Sequence, residues 1–298
     1  MSAKILVIGS SNTDMVVKTK EFPQPGQTVL GGSFLMNPGG KGANQAVAAA
    51  RLGADLRFVA KIGKDIFGQQ ALEGFAREGL DVGFISKSDD LASGIALITV
   101  NESGENQIVV ASGANMDLKP ENLPDEIFKE VDVVLVQLEI PMDTVGYVIK
   151  RCAALNIRLV LNPAPATRIE DELLRHVFLI TPNETETEIL TGILPKDRAS
   201  LHAAAQYLRH KGVENVVITM GKNGVYLCNE SYDQIIPSVP VNAVDTTAAG
   251  DVFNGALVTA MAAGEDLRTA CQYACKAAAI SVTRMGAQSS APYQNEIE

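Results

Sequence analysis

The sequence predicts an α/β protein: a three-layer, Rossmann-like arrangement in which a mostly parallel central sheet is flanked by helices and a small β-sheet projects from it. Three observations carry this. Short apolar runs rich in β-branched residues alternate with segments of helical character, the order that yields parallel strands covered on both faces. That order is broken over Met15–Met36 and Gly94–Val110, where turn residues separate short β-like runs; the second holds a hairpin pattern around Asn101–Asn106. No repeat of solenoid period and no low-complexity linker divides the chain, so residues 1–298 read as one domain with a lid, formed by segments 14–37 and 93–111, inserted in it.

Taken in order, Lys4–Gly9 (KILVIG) is a strand buried on both faces, ending in Ser10-Ser11-Asn12-Thr13-Asp14. Ligands of open α/β sheets bind beyond the carboxyl ends of the strands, so Asn12 and Asp14 emerge where a substrate sits. An amide and a carboxylate can each pair with neighbouring hydroxyls, as a sugar presents them; a polar turn with an Asx-type hydrogen bond is the alternative. Gly39, Gly40, Lys41 and Gly42 then lead into a helix over Asn44–Leu52, stopped by Gly53. Glycines there allow close approach of backbone to ligand, and Lys41 and Asn44 offer donors. It is not a Walker loop, because Leu35 and Gly42 stand where that motif needs Gly and Ser or Thr.

Strands at Arg57–Ile62, Asp132–Val136, Arg158–Leu161, Val177–Ile180 and Val216–Thr219 alternate with helices at Gly68–Glu78 and Asp143–Ala153 and with turns. Polar residues and glycines stand at their carboxyl ends: Glu139, Asn183, Glu186, Thr219 and Gly221. Each alone reads as a helix cap or a solvated loop residue; together with Asn12 and Asp14 on one edge they outline a site. Near the C-terminus, VDTTAAGDVFNGALVTAMAAG (Val244–Gly264) brings Ala248, Ala249 and Gly250 up to Asp251, which opens an apolar helix. Small residues before unpaired helix N–H groups make an anion site that a phosphate fits. Asp251 beside that anion either complements the helix dipole or accepts a proton from an attacking hydroxyl.

Composition limits the partners. With 298 residues, 46% of them hydrophobic, the chain can bury a large core. A net charge of −10 argues against nucleic acid or an anionic membrane. No apolar stretch of about 18 residues and no signal-peptide pattern is found, so a cytoplasmic protein is predicted. Scarce cysteines (Cys152, Cys228, Cys271, Cys275) without C-x-x-C spacing suit a reducing compartment.

DTTAAGD followed by FNGAL closely resembles the C-terminal signature of the ribokinase family of carbohydrate kinases, and Asn37–Ala46 (NPGGKGANQA) is similar to the family's sugar-binding motif. The resemblance runs from Lys4 to Pro292. It implies the ribokinase fold and an ATP-dependent sugar kinase, with phosphoryl transfer to the 5-hydroxyl of D-ribose, to which Lys41 and Gln45 point. By that resemblance Asn12, Asp14, Gly40, Lys41, Asn44 and Glu139 contact the sugar, and Asp251 is the base with an anion hole from the Ala248–Asp251 backbone. Asn183, Glu186, Thr219, Gly221 and Gly224 fall at the nucleotide phosphates or the Mg²⁺ shell, with Gly250 and Cys275 also on the nucleotide. Asp245, Thr247, the carbonyls of Ser281, Arg284 and Gly286 and the side chain of Ser290 match a monovalent-cation site, read here as K⁺; Asp245 bonding only its own turn is the alternative. A homodimer through the lid is expected.

Two positions depart from the family pattern: Val252 replaces the usual Thr or Ser, and Cys275 stands where relatives often place His or Asn beside the adenine. A kinase for another small sugar or a nucleoside stays open, as does, in a different class, a non-catalytic sugar-binding sensor, against which the intact Asp251 and sugar-side motif argue.

Overall fold

The computed structural model describes residues 4–297; residues 1–3 and 298, the ends of the expected domain, lie outside the described residues. The strands are β1 (Lys4–Ile8), β2 (Asn12–Lys18), β3 (Phe34–Gly39), β4 (Asp55–Ile62), β5 (Ile85–Lys87), β6 (Gly94–Val100), β7 (Asn106–Ala111), β8 (Val131–Val136), β9 (Arg158–Leu161), β10 (Leu179–Ile180), β11 (Asn215–Thr219), β12 (Val225–Cys228) and β13 (Asp233–Ile236). The helices are α1 (Lys41–Arg51), α2 (Ile66–Arg77), α3 (Met142–Leu155), α4 (Asp171–Leu174), α5 (Glu184–Thr191), α6 (Arg198–His210), α7 (Ala249–Ala262) and α8 (Leu267–Ser281).

Nine strands form the central sheet in the order β13-β12-β11-β10-β9-β8-β1-β4-β5. From β11 to β5 all neighbours are parallel; β12 and β13 close one edge antiparallel. Alternate residues of one strand enter different layers. Ile5 and Val7 pack with α1, α7 and α8 in one cluster, while Leu6 and Ile8 pack with α3 and α6 in the other. That is the three-layer α/β architecture the alternating pattern implies.

The differences from the sequence reading lie at element ends and at the edges. Helix α1 starts at Lys41 rather than Asn44, because Gly40, at φ 90°, turns the chain straight into the helix. A Cβ on Gly40 would stand 2.6 Å from the Asn12 nitrogen, so the close approach excludes any other residue. Helix α7 opens at Ala249, with Ala248 as its left-handed N-cap at φ 58°, which moves Asp251 from the helix start to its third position. The sequence reading does not include strands β5, β12 and β13: β5 and β13 are the short edge strands of the sheet, and β12 lies between β11 and β13.

The segments that broke the alternation form a separate four-stranded sheet, β3-β2-β6-β7. Its outer pairs are antiparallel, but β2 and β6 run parallel from Asn12 opposite Gly94 to Lys18 opposite Val100. Asn12 and Asp14 therefore lie on a strand of this sheet and not in a turn. Phe34, Leu35, Met36, Leu97, Ile108, Val109 and Val110 leave it with exposed apolar surface. All four cysteines are free and buried.

Candidate active site

The site begins where β1, β8 and α1 meet. A Cβ on Gly42 would lie 2.6 Å from the Gly9 carbonyl carbon, so the first turn of α1 rests directly on the end of β1. The Ser10 hydroxyl donates to Glu139 Oε2 at 2.5 Å, and the same oxygen accepts the Lys41 backbone N–H at 3.1 Å. Glu139, just beyond β8, thus joins the end of one strand to the start of the helix. Asn12 Oδ1 accepts from Asn115 Nδ2 at 2.7 Å, which orients its amide.

Asp251 is 7% exposed. Its Oδ2 accepts from Asn44 Nδ2 and its Oδ1 from Gln45 Nε2, each at 2.9 Å. Consecutive residues of α1 therefore grip both carboxylate oxygens, and α7 is pressed onto α1 one turn later, where a Cβ on Gly255 would meet the Gln45 carbonyl at 2.6 Å. Charges of both signs gather around this point. Burial, and then the fields of Glu139 and Asp251, raise the Asp14 carboxyl from 3.8 to about 6, with Lys41 opposing. Burial alone would lower the Lys41 ammonium, but the surrounding Asp251, Glu139, Glu186 and Asp14 hold it above the ordinary lysine value. Asn12, Asp14, Gly40, Lys41, Asn44 and Glu139 are thus brought together around Asp251.

On the other side of Ala249 and Gly250 lies a cavity of about 500 Å³. Thr219, Gly221, Gly224, Ala249, Gly250 and Cys275 line it, with apolar walls that include Val239, Phe253 and Val282. Asn183 and Glu186 do not line it. Asn183 caps α5: its Oδ1 accepts the Glu186 N–H at 2.8 Å and Glu186 Oε2 accepts the Asn183 N–H at 2.9 Å, a reciprocal capping box. Burial raises the Glu186 carboxyl, with the field of Asp251 adding to it and the Asn183 N–H and Lys41 opposing. Asn183 stays linked to Thr219 by a parallel bridge.

The segment before α7 is tied to the C-terminal loop. Asp245 Oδ1 accepts from the Thr247 N–H at 2.9 Å and hydroxyl at 2.6 Å, and Oδ2 accepts from the Gly286 N–H at 2.9 Å. Burial opposes the Asp245 charge, yet these donors hold its carboxyl below the ordinary aspartate value. Ser281 and Ser290 are buried with hydroxyls donating to the Ala278 and Ala287 carbonyls, and Arg284 pairs with Glu296. Asp245 bonds its own turn, as the alternative held, and bonds the loop of Gly286 as well.

Sequence reasoning used Gln45 only as a pointer to ribose and assigned no role at this site to Ser10, Gln137, Asn162, Thr181 and Asn254. The last three continue the buried polar chain from Gln45: Asn162 Nδ2 donates to the Thr181 carbonyl, Thr181 Oγ1 to Asn254 Oδ1, and Asn254 Nδ2 to the Gly250 carbonyl. Gln45 and Asn254 lay in recognisable motifs, NPGGKGANQA and FNGAL; Ser10, Gln137, Asn162 and Thr181 show nothing locally, because their side-chain partners come from distant segments.

A family model described as pfkB family carbohydrate kinase matches residues 2–294. The ribokinase of Bacillus subtilis is 44% identical over 298 residues, covering 99% of this chain and 98% of its own. That of Haemophilus influenzae is 43% identical over 298 residues, covering 99% and 97%. The solved structure of Arabidopsis thaliana ribokinase complexed with ribose and ATP is similar at a TM-score of 0.94 and 30% identity, covering 100% of this chain and 98% of that one. Motif, architecture and full-length similarity agree, and the chain belongs to the pfkB family of carbohydrate kinases.

Proposed function

We propose that this chain transfers the γ-phosphoryl group of ATP to the 5-hydroxyl of D-ribose, giving D-ribose 5-phosphate and ADP. The observation that carries the reading is the place of Asp251, a buried carboxylate held by the sugar-motif helix on one side. The first residues of its own helix, Ala249 and Gly250, wall the 500 Å³ cavity on the other. The full-length similarity to ribokinases supports ribose as acceptor and ATP as donor.

Asn12, Asp14, Gly40, Lys41, Asn44 and Glu139 bind the sugar and present its 5-hydroxyl to Asp251. The hydroxyl oxygen attacks the γ-phosphorus, its proton passes to the Asp251 carboxylate, and the bond from phosphorus to the ADP oxygen breaks. In a loose transition state positioning matters more than base strength. The N–H groups of Ala248, Gly250 and Asp251 stabilise charge on the moving phosphoryl, joined by that of Ala249, which is only weakly engaged at 3.3 Å from the Thr246 carbonyl. Thr219, Gly221, Gly224 and Gly250 lie along the phosphates, and Cys275 packs beside the adenine.

Mg²⁺ would be held by phosphate oxygens and water, with Asn183 and Glu186 in its outer shell. The single half-buried Glu186 carboxylate, one oxygen already bound to a backbone N–H, fits that role, and the ion supplies charge neutralisation between the phosphates. K⁺ would be held by Asp245, Thr247, the carbonyls of Ser281, Arg284 and Gly286 and the side chain of Ser290. This all-oxygen set with one carboxylate fits a large, weakly hydrated cation, which supplies a fixed charge that favours the loop geometry leading into Ala248.

The small sheet serves as a lid on a single domain, since β2 carries both Asn12 and Asp14. Its apolar surface, with Phe34 58% and Val109 67% exposed, suits pairing with a second copy in a homodimer. The four free, buried cysteines suit the cytoplasm. A coupled ADP-release assay over pentoses, hexoses and nucleosides tests the function: ribose should give the highest kcat/KM. Preference for a hexose or nucleoside would replace the acceptor, and ribose binding without turnover would leave a sugar sensor.

A further inference from the structure

Behind Asp251 stand two amides that have no part in the transfer as written. Gln45 and Gln137 are both 0% exposed. An ionised carboxylate only accepts, so it fixes the polarity of whatever meets it. Gln45 turns Nε2 to Asp251 Oδ1 and to Asn162 Oδ1, each at 2.9 Å, which leaves its Oε1 for Gln137 Nε2 at 2.5 Å. Gln137 Oε1 is thereby turned toward Gly9, without a hydrogen-bond partner among the described residues. An orphaned buried acceptor is unfavourable, because its desolvation is not offset. Asn44 Oδ1, on the other amide that grips Asp251, is likewise without a partner among the described residues, and on the Gln45 branch the orphan falls at the far end, so both amides turn their donors to the carboxylate and the order of donors is set from Asp251 outward.

Gln45 also fixes the backbone geometry. Its carbonyl sits against Gly255, one helical turn beyond Asp251, where a Cβ would come within 2.6 Å. Main chain and side chain of one residue thus reference α1 to α7 at both levels of the contact.

We propose that Gln45, oriented by Gln137, is the positioning residue of the catalytic base: it fixes the plane of the Asp251 carboxylate from behind. Because Gln45 is wholly buried, its influence on turnover passes through Asp251. The proposal rests on Asp251 acting as the base.

The test is a double-mutant cycle. Gln45→Met keeps volume and removes the amide. It should lower kcat about tenfold while the KM values for ribose and ATP change less than about twofold, since only alignment in the transition state is lost. In the Asp251→Asn background the same substitution should have no further effect on kcat, so the coupling equals the whole single effect. Gln137→Met, which leaves the helix contact intact, should give a smaller loss of a few-fold that likewise vanishes with Asp251→Asn, and it serves if Gln45→Met does not fold. Equal losses in both backgrounds, or wild-type kcat in the single variants, overturn the proposal. Near wild-type turnover in Asp251→Asn alone overturns the base assignment instead, so the two failures are told apart.

Discussion

On the α1 side of Asp251, Asn12, Asn44 and Gln45 are buried and already hold hydrogen bonds. On the Gly250 side, Gly221, Lys222, Asn223 and Thr246 are exposed, and the 500 Å³ cavity is walled largely by apolar side chains. The first region presents polar groups arranged during folding, a plan that can discriminate hydroxyl patterns because a missing partner leaves a buried group unpaired. The second offers backbone, glycine and apolar surface, which suits a ligand that brings its own charge and a flat base. On the proposed assignment, one half reads the sugar and the other accommodates ATP.

Substitutions can break this contrast at its centre. Asp251→Asn keeps shape and removes the charge between the halves, so kcat should fall by about 10² or more with ribose affinity nearly unchanged. Steady-state kinetics with ribose titration check this, and turnover near the wild-type rate would remove Asp251 from the role of base.

Gly40→Ala should distinguish the halves most cleanly. The added methyl meets the Asn12 nitrogen at 2.6 Å on a backbone with φ 90°. The methyl must push Asn12 or the start of α1 out of place, so KM for ribose should rise about tenfold or more. The constant for ATP should stay within about twofold; the opposite pattern would mean that the two halves are interchanged.

The Asp245 loop proposed to hold K⁺ borders the open half and should have a smaller effect. Exchanging K⁺ for a bulky organic cation at constant ionic strength should slow the wild type several-fold and Asp245→Ala hardly at all. Equal rates with and without K⁺ in the wild type would end the K⁺ reading.

The smallest effect sharpens the comparison through stability. Burial and its acidic neighbours raise Asp14 from 3.8 to about 6, so the folded chain keeps this proton over a range in which the unfolded chain has lost it. Stability therefore falls as pH rises through that window, and the loss persists above it. Asp14→Asn should raise Tm by about 3 °C or more at pH 8 and leave it unchanged near pH 3. Equal shifts at both pH values would assign the effect to packing.

Most of the architecture was legible because alternation of β-branched runs with helical segments is a local signal, and β9 was placed to the residue at Arg158–Leu161. Helix starts were not. Gly40 and Ala248 begin their helices through left-handed backbone, which periodicity does not encode. The sugar-side cluster was visible as a motif because Gly40, Lys41 and Asn44 are neighbours in sequence. The connections among the buried amides were invisible for the opposite reason: Gln45 meets Gln137, Asn162 and Asp251 from the ends of other strands and another helix. The Asn183–Glu186 pair shows a limit of another kind, since the capping box accounts for those residue types whether or not a ligand is near.

The buried thiols give the molecule a built-in chemical clock. Burial pushes the Cys152 thiol up to about 12 and the Cys275 thiol up to about 11, so little thiolate exists near neutral pH to attack an alkylating reagent. Labelling of Cys152 then waits on opening of the core around α3 and counts unfolding events in the native ensemble. Cys275 differs in lining the 500 Å³ cavity proposed for the nucleotide, although it is only 4% exposed. Its modification, followed by mass spectrometry against that of Cys152, separates breathing of the cavity wall from loss of the whole fold, and slower labelling of Cys275 alone in the presence of ATP reports occupancy without any turnover.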